Sequence, residues 1–171
     1  MKNKTLSIIF ILCFFFFNSS YSKIIKFESP KIEIENNGNK LTAENGVIVE
    51  SDDGVIINAD RATYDKESNI LKFINNIKVK DNLNSINFSS NEIIYEKNKD
   101  LFKIIGKSRT NIKDKYFIDA ENVLYDRLKM QIYSENLMEL QSILGTKISG
   151  DNLKFSINDN IVKGKNLKIQ D

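Results

Sequence analysis

The sequence predicts an all-β domain built from hairpins. Three observations predict it: short runs in which apolar and polar residues alternate, polar turn segments between these runs, and a repeat of about 30 residues. The length of 171 residues suits a single domain, and a hydrophobic content of 41% is sufficient for a core.

The N-terminal segment has the features of an export signal. Lys2 and Lys4 precede an apolar run at Leu6–Phe17, and Ser20 and Ser22 have the spacing of small residues at a signal peptidase site. The run of 12 residues is shorter than the ~20 that a membrane-spanning helix needs. We therefore predict a cleaved signal peptide, with an uncleaved inner-membrane anchor as the alternative.

Cleavage after Ser22 divides the chain into a signal peptide at 1–22 and a mature domain at 23–171. The only cysteine, Cys13, lies in the signal peptide, and removing its two lysines from the 25 basic residues leaves 23 against 23 acidic ones. This exported domain is neutral and cannot form a disulfide, and its charge balance argues against nucleic-acid binding. Asn is abundant, which we attribute to AT-rich codon usage.

Alternation of period two recurs along the mature domain. Lys31–Glu35 alternates at every position, and Asn36–Asn39 has the composition of a turn. Glu135–Leu144 is the one segment that could support a short helix. The other alternations indicate half-buried strands at Val47/Val49, Leu71/Phe73, Ile77/Val79, Ile86/Phe88, Leu153/Phe155/Ile157 and Leu167/Ile169.

Four six-residue segments form the repeat. Each begins with a small residue, continues with Asp, Asn or Glu, and ends on an aromatic residue. They are 59–64, 90–95, 120–125 and 150–155. The aromatic residues are separated by 31, 30 and 30 positions, a length that accommodates one hairpin. We expect the polar second position to cap a turn at the start of each strand; it is occupied by Asp60, Asn91, Glu121 and Asp151.

The repeat places one apolar row on a single face of the sheet. Side chains alternate between the faces of a strand, so the fourth and sixth positions of each segment point the same way. The row contains Ala62, Ile93, Val123 and Leu153, beside Tyr64, Tyr95, Tyr125 and Phe155. It is either a sealed core, which the pattern alone favours, or the lining of a groove for an apolar ligand.

The sequence shows no constellation typical of an enzyme. It contains no His to act as a general base, no nucleophile motif and no phosphate-binding glycine loop. Its acidic residues recur at one repeat position instead of forming a local catalytic pair, and their spacing does not match a calcium loop. We therefore predict a protein that is not an enzyme, with no cofactor and no metal site.

Two adjoining segments resemble the OstA-like family of lipopolysaccharide-transport proteins. Ile57–Asp65 and Leu71–Val79 match a motif of the form ADxAxYD followed by an apolar alternation. Glu44–Val47 and Ile118–Glu121 are also similar to family segments, and the resemblance covers most of residues 28–171. The chain departs from the family at position 75, where Asn replaces the usual Gly.

This resemblance implies an open β-jellyroll of two facing antiparallel sheets that holds the lipid A acyl chains of lipopolysaccharide in its interior. It implies a periplasmic location and edge strands that pair with other jellyrolls of a transport bridge. It therefore favours the groove over the sealed core, and the return strand adds four residues to the lining. The predicted lipid groove is Ala62, Tyr64, Leu71, Phe73, Ile77, Val79, Ile93, Tyr95, Val123, Tyr125, Leu153 and Phe155.

The family member that the chain represents stays open between two possibilities. A mature domain of this length fits the small bridge protein (LptA). The run Phe155–Gln170 is more similar to the segment that precedes the outer-membrane barrel in the assembly protein (LptD), which would add a barrel partner and association with the outer membrane. The anchored inner-membrane member (LptC) is disfavoured by the short apolar run. The alternative function is an exported structural or adhesive β-repeat protein with a sealed core and no lipid ligand.

Overall fold

The computed structural model describes residues 23–171, which form twelve antiparallel β-strands in one hydrogen-bonded sheet. The signal peptide predicted at 1–22 lies outside the described residues. The helical elements of the described part are two 3₁₀ turns, Asn36–Gly38 and Lys97–Lys99. The strands are β1 (Ile25–Glu28), β2 (Lys31–Glu35), β3 (Lys40–Ser51), β4 (Val55–Asp65), β5 (Ile70–Asp81), β6 (Ile86–Glu96), β7 (Leu101–Ile112), β8 (Tyr116–Asp126), β9 (Gln131–Ser134), β10 (Met138–Ser142), β11 (Lys147–Ser156) and β12 (Ile161–Gln170).

Most strands pair with the strand that precedes them, so the sheet is a chain of hairpins. Two positions in the sheet are filled by interrupted strands. β1 and β2 both pair with β3 and are separated by Ser29 and Pro30, where proline has no N–H for a ladder bond. β9 and β10 both lie between β8 and β11. The predicted hairpin repeat is therefore confirmed.

A line of bulges crosses the sheet near the middle of the long strands. The pairing register shifts there, for example between Asn58 and Arg61 of β4 and between Ile74 and Ile77 of β5. Bulges bend a strand, so this line folds the sheet. We call its two parts half A and half B. The hairpin turns of half A are 51–55, 81–86, 112–116 and 142–147, and those of half B are 36–40, 65–70, 96–101, 126–131 and 156–161.

Aromatic contacts show that the two halves face each other. Phe88 of half A lies with its ring centroid 5.3 Å from Phe102 and 5.9 Å from Tyr125, which both belong to half B. Near the end of the sheet, Tyr116 of half A contacts Phe155 of half B at 5.2 Å. Buried residues from both halves form one core. The all-β jellyroll prediction is confirmed, with the refinement that its two layers are halves of one continuous sheet.

The helix considered at Glu135–Leu144 is wrong, because this segment contains β10 and two irregular connections. Met138 and Leu140 point into the core, which is the alternation of a strand. Their strand is paired on both sides, to β8 and to β11. The cross-strand hydrogen bonds and burial in the core therefore decide the local structure over helix propensity.

The turn-capping role expected for the repeat's polar position is also wrong. Asp60 lies inside β4 beside the bulge, not at a turn, and its carboxylate accepts a hydrogen bond from Asn76 Nδ2 of β5 at 2.8 Å. Asp151 of β11 accepts one from Asn166 Nδ2 of β12 at 3.1 Å. These side chains link the bulges of neighbouring strands on the outer face of the sheet.

Candidate functional site

The structure brings all predicted groove residues into the core between the two halves. Ten of them line half B, and Ile77 and Val79 belong to half A. Their exposed fractions lie between 0 and 9%. The set is Ala62, Tyr64, Leu71, Phe73, Ile77, Val79, Ile93, Tyr95, Val123, Tyr125, Leu153 and Phe155. Their side chains are buried against the opposite half, so a lipid would need the halves to separate.

Cross-strand pairing aligns this lining into a row across half B. Along half B, Ala62 faces Phe73, which faces Ile93, and the row continues through Ile104 to Val123 in directly paired positions. Ser134 of β9 interrupts it, with its hydroxyl donating to the Glu121 carbonyl at 2.7 Å, and Leu153 follows. An apolar stripe therefore runs from β4 to β11.

The sequence reasoning missed the residues that complete the interior. Phe102 lies between Tyr95 and Tyr125, with ring centroids 4.3 Å and 6.1 Å apart, and so joins the aromatic side chains of two repeats. The wall of half A was also left out. It includes Val49, Val55, Ile57, Ile86, Phe88, Ile112, Ile118, Met138 and Leu140. The period-two alternation that identified the other strands also marks these residues.

The outer surface carries a groove of about 920 Å³ that lies over the bulge line. Polar side chains such as Asn58, Lys78 and Arg109 line it, and Ile77 is the one member of the predicted lining that reaches it. Apart from Ile77, the predicted lipid lining does not contribute to this polar groove.

Tyrosine hydroxyls mark the rim of the interior. Tyr95 donates to Asp100 Oδ1 at 2.8 Å, and Tyr125 donates to Asp81 Oδ2 at 2.9 Å. Burial raises the pKa of both tyrosines well above the ordinary value, and the adjacent carboxylates raise it further. Both phenols therefore stay protonated and act as hydrogen-bond donors to the carboxylates beside them.

These carboxylates belong to a buried ion cluster, which we call the ionic clasp: Lys23, Asp53, Asp81, Asp100 and Arg127. Arg127 Nη1 lies 2.5 Å from Asp53 and 2.9 Å from Asp100, and its Nε lies 2.8 Å from Asp81. Lys23 Nζ lies 2.7 Å from Asp53 and 2.8 Å from Asp100. The side chains of Arg127 and Asp81 are 3% and 0% exposed.

The ionic clasp joins hairpin turns of half A to hairpin turns of half B. Asp53 and Asp81 lie at turns of half A, whereas Asp100 and Arg127 lie at turns of half B. Arg127 therefore bridges the opening of the folded sheet opposite the bulge line. We call this opening the seam.

Charge compensation keeps two carboxylates of the clasp, those of Asp53 and Asp81, ionised. Burial opposes ionisation of Asp81, but hydrogen bonds from Arg127, Asn84 and Tyr125 and the Arg127 charge hold its pKa below the usual value. Asp53 behaves in the same way: burial opposes its ionisation, and Lys23, Ser51 and Arg127 lower its pKa. Because these two carboxylates are already paired with cations and hydrogen-bond donors, they stabilise the fold and are not free to act as catalytic bases.

Two features are absent from the described residues. Within residues 23–171 no group of three or more Cys, Asp or Glu side chains has the arrangement of a metal site. Over the same range, no helix has the length and apolar character needed to cross a membrane.

The matches to known proteins come from solved structures, 17 chains in all. No protein-family model and no curated protein matches the chain. The crystal structure of LptH from Pseudomonas aeruginosa, described as the LptA homologous periplasmic component of the lipopolysaccharide transport device, matches with a TM-score of 0.36 and 8% identity. The match covers 87% of this chain and 95% of LptH. At this level of similarity the likeness identifies no function, and the function has to be sought in the chain's own geometry.

Proposed function

We propose that this protein is an exported lipopolysaccharide-transport module that carries acyl chains in its apolar interior. The observation that supports this is the apolar stripe, interrupted at Ser134, between two half-sheets that are joined covalently only along one line. The stripe crosses seven strand positions from β4 to β11, which at ~4.8 Å per spacing is roughly 29 Å. One leaflet of a bilayer core is about 15 Å thick, so the stripe is long enough to cover an acyl chain.

Lipid uptake requires the two halves to separate. The interior side chains are packed against each other, and many of them, such as Phe73 and Ile93, are 0% exposed. Separation exposes both walls of the interior, and an acyl chain between them replaces the lost contacts at ~0.8 kcal/mol per CH₂ group removed from water. The ligand therefore supplies the apolar surface that keeps the open form stable.

The location and partners of the protein are part of this proposal. The predicted signal peptide would deliver residues 23–171 to the periplasm, and the free edges of the sheet at β1/β2 and β12 would pair with neighbouring jellyrolls. The resemblance to OstA-like proteins supports this choice of process, which is also the one named for LptH. A soluble bridge protein and the N-terminal domain of a longer outer-membrane protein are both compatible with the fold.

Photo-crosslinking with a matched pair of positions tests lipid carriage. p-Benzoylphenylalanine would replace Phe73, which is 0% exposed on the inner face, or Phe117, which is 39% exposed on the outer face. We expect a lipopolysaccharide adduct from the probe at position 73 and none from position 117. Circular dichroism would establish that both variants fold. Equal adduct formation at the two positions, or none at position 73, would contradict the proposal.

One observation favours the alternative, an exported structural β-repeat protein with a sealed core. Many large interior side chains, including Tyr125, Phe102 and Phe155, are less than 2% exposed, which is the packing of an ordinary core. This function predicts that the Phe73 probe crosslinks only to other parts of the same chain, even in the presence of excess lipopolysaccharide.

A further inference from the structure

The hairpin turns of each half are joined to one another by backbone hydrogen bonds, but in the described chain the turns of the two halves are not joined in this way across the seam. Within half A, backbone hydrogen bonds join one turn to the next, as in Asn82 N–H to Gly54 at 3.1 Å and Lys113 N–H to Ser85 at 2.8 Å. Within half B, Lys97 N–H bonds Asn69 at 3.1 Å in the same manner. Among residues 23–171, no backbone hydrogen bond between turns crosses from one half to the other.

Ion pairs across the seam are confined to the ionic clasp. Arg127 bonds Asp53 and Asp81 of half A, and Lys23, which precedes β1, reaches Asp100 of half B. The other ion pairs of the described chain lie within one half, as Lys72–Glu92 and Arg109–Asp119 do. Apart from this cluster and the Tyr125–Asp81 and Lys23–Tyr95 hydrogen bonds beside it, the seam is closed by apolar contacts.

We propose that the ionic clasp is the gate through which the interior opens to acyl chains, an inference that rests on the proposed function. Each half is tied along its own rim by backbone bonds and moves as a unit, so opening takes place at the seam. Opening returns all five charged groups to water, and their hydration offsets the loss of the ion pairs. Apolar side chains in place of the clasp would gain no such hydration on opening.

The gate also determines where a lipid passes. The bulge line is continuous backbone, and the ladder hydrogen bonds close both walls of the interior. An amphiphile that enters at the seam can place its acyl chains in the apolar stripe while its polar headgroup stays at the charged rim. Sideways transfer of this kind does not require the whole lipid to be threaded from one end of the jellyroll to the other.

A reversible crosslink across the seam tests the gate. Asp52→Cys and Leu128→Cys would place thiols on exposed turn residues beside Asp53 and Arg127, leaving the clasp itself intact. The control joins Leu128→Cys to Lys99→Cys, both in turns of half B, so the same crosslinker ties one half to itself. A reducible bismaleimide would form each link in the purified residue 23–171 domain, which has no other cysteine. Adduct formation between lipopolysaccharide and a probe at position 73 is the readout.

We expect the seam crosslink to slow adduct formation by at least about tenfold, equivalent to roughly 1.4 kcal/mol on the opening equilibrium. Reduction should restore the rate, and the control crosslink should leave it unchanged. Arg127→Gln, a second variant, should increase the rate. Unchanged adduct formation in the seam-linked protein overturns the gate and leaves the proposed function standing. Absence of adducts before crosslinking overturns the proposed function, and the gate with it.

Discussion

Arg127 forms ion pairs with three different carboxylates, more than any other charged residue among those described. Its guanidinium contacts carboxylates from three separate turns while its side chain is 3% exposed. A planar group with five donors suits this position, because a lysine could not bond Asp81 with two nitrogens at once. The residue therefore determines how the two edges of the seam are aligned.

Replacing Arg127 by Met is expected to lower the free energy of unfolding by about 3–5 kcal/mol. The change keeps most of the side-chain volume but leaves the fully buried carboxylate of Asp81 without its cation. Urea unfolding followed by circular dichroism measures the effect.

Arg109→Met supplies the matched control, because Arg109 pairs with Asp119 at 2.8 Å while its side chain is 74% exposed. Water screens this surface pair, so its loss is expected to change the free energy of unfolding far less than the loss of Arg127. Similar losses in the two variants would contradict the structural role assigned to the clasp.

Asparagine occupies ten positions of the described chain at which φ is positive. The residues are Asn36, Asn37, Asn45, Asn69, Asn75, Asn76, Asn122, Asn152, Asn160 and Asn166. Asn tolerates the left-handed region better than other residues with a side chain, because its short amide can bond locally. The abundance of Asn, attributed above to codon usage, therefore has a structural use at turns and bulges.

At the scale of the strands, the repeated segment marks the bulges. In β4, Ala59 points into the core, Asp60 and Arg61 both point outward, and Ala62 points inward again. The same two outward residues recur at the bulges of β6 and β8. Within each of these strands, the buried positions therefore switch between odd-numbered and even-numbered residues at the bulge. This change is visible in the sequence, and reading it would have placed the repeat's polar residue at a bend instead of a turn.

The bulge in β5 depends on backbone conformation at Asn75, where φ is +62°. Asn75→Val is expected to lower the free energy of unfolding by about 1–2 kcal/mol, because a β-branched residue is strained in the left-handed region. Asn75→Gly removes that strain and is expected to change it by less than about 1 kcal/mol. Urea unfolding of both variants measures the difference.

Lys78→Val is the control for the bulge prediction, since Lys78 is an exposed residue of β5 outside the positive-φ positions. A valine suits such a strand position. If Lys78→Val and Asn75→Val destabilise the protein equally, the strain at the bulge is not the cause.

At the scale of the whole molecule, local patterns could be predicted and the contacts between halves could not. Period-two alternation identifies hairpins such as β4–β5 because their pairing is between neighbouring segments. It also identifies which residues are buried, including Ile93 and Val123. The clasp joins Arg127 to Asp53 and Asp81, 74 and 46 residues away, and no repeat or spacing relates these positions. Only the folding of the sheet along its bulge line brings them together.

The two free edges of the sheet differ in charge. β12 carries three lysines and no acidic residue, whereas β1 and β2 together carry three glutamates and two lysines. Exposed edge strands present unpaired backbone groups to other chains. Repulsion between lysines disfavours pairing of two β12 edges, and attraction favours β12 of one copy beside β2 of the next. We therefore expect head-to-tail association.

Charge reversal tests whether β12 of one copy pairs with β2 of the next. Changing Lys163, Lys165 and Lys168 to Glu gives β12 an acidic edge, which should repel β2 and abolish association measured by sedimentation velocity at low salt. Adding Glu33→Lys and Glu35→Lys to the same chain should restore association, because β12 is then acidic and β2 is basic. The effect should weaken as salt rises, since the Debye length falls to about 8 Å at physiological ionic strength.

The control for the edge variants reverses three lysines on the outer face, Lys78, Lys80 and Lys107, which gives the same net charge without touching either edge. If this control also prevents association, net charge and not edge pairing is responsible. If the β12 variant still associates and the Glu33/Glu35 variant has no restoring effect, the neighbours meet through another surface. Restoration in the doubly reversed chain identifies β2 and β12 as partners if the same Glu33→Lys and Glu35→Lys changes, added to the outer-face control, do not favour association, because those two chains carry the same net charge.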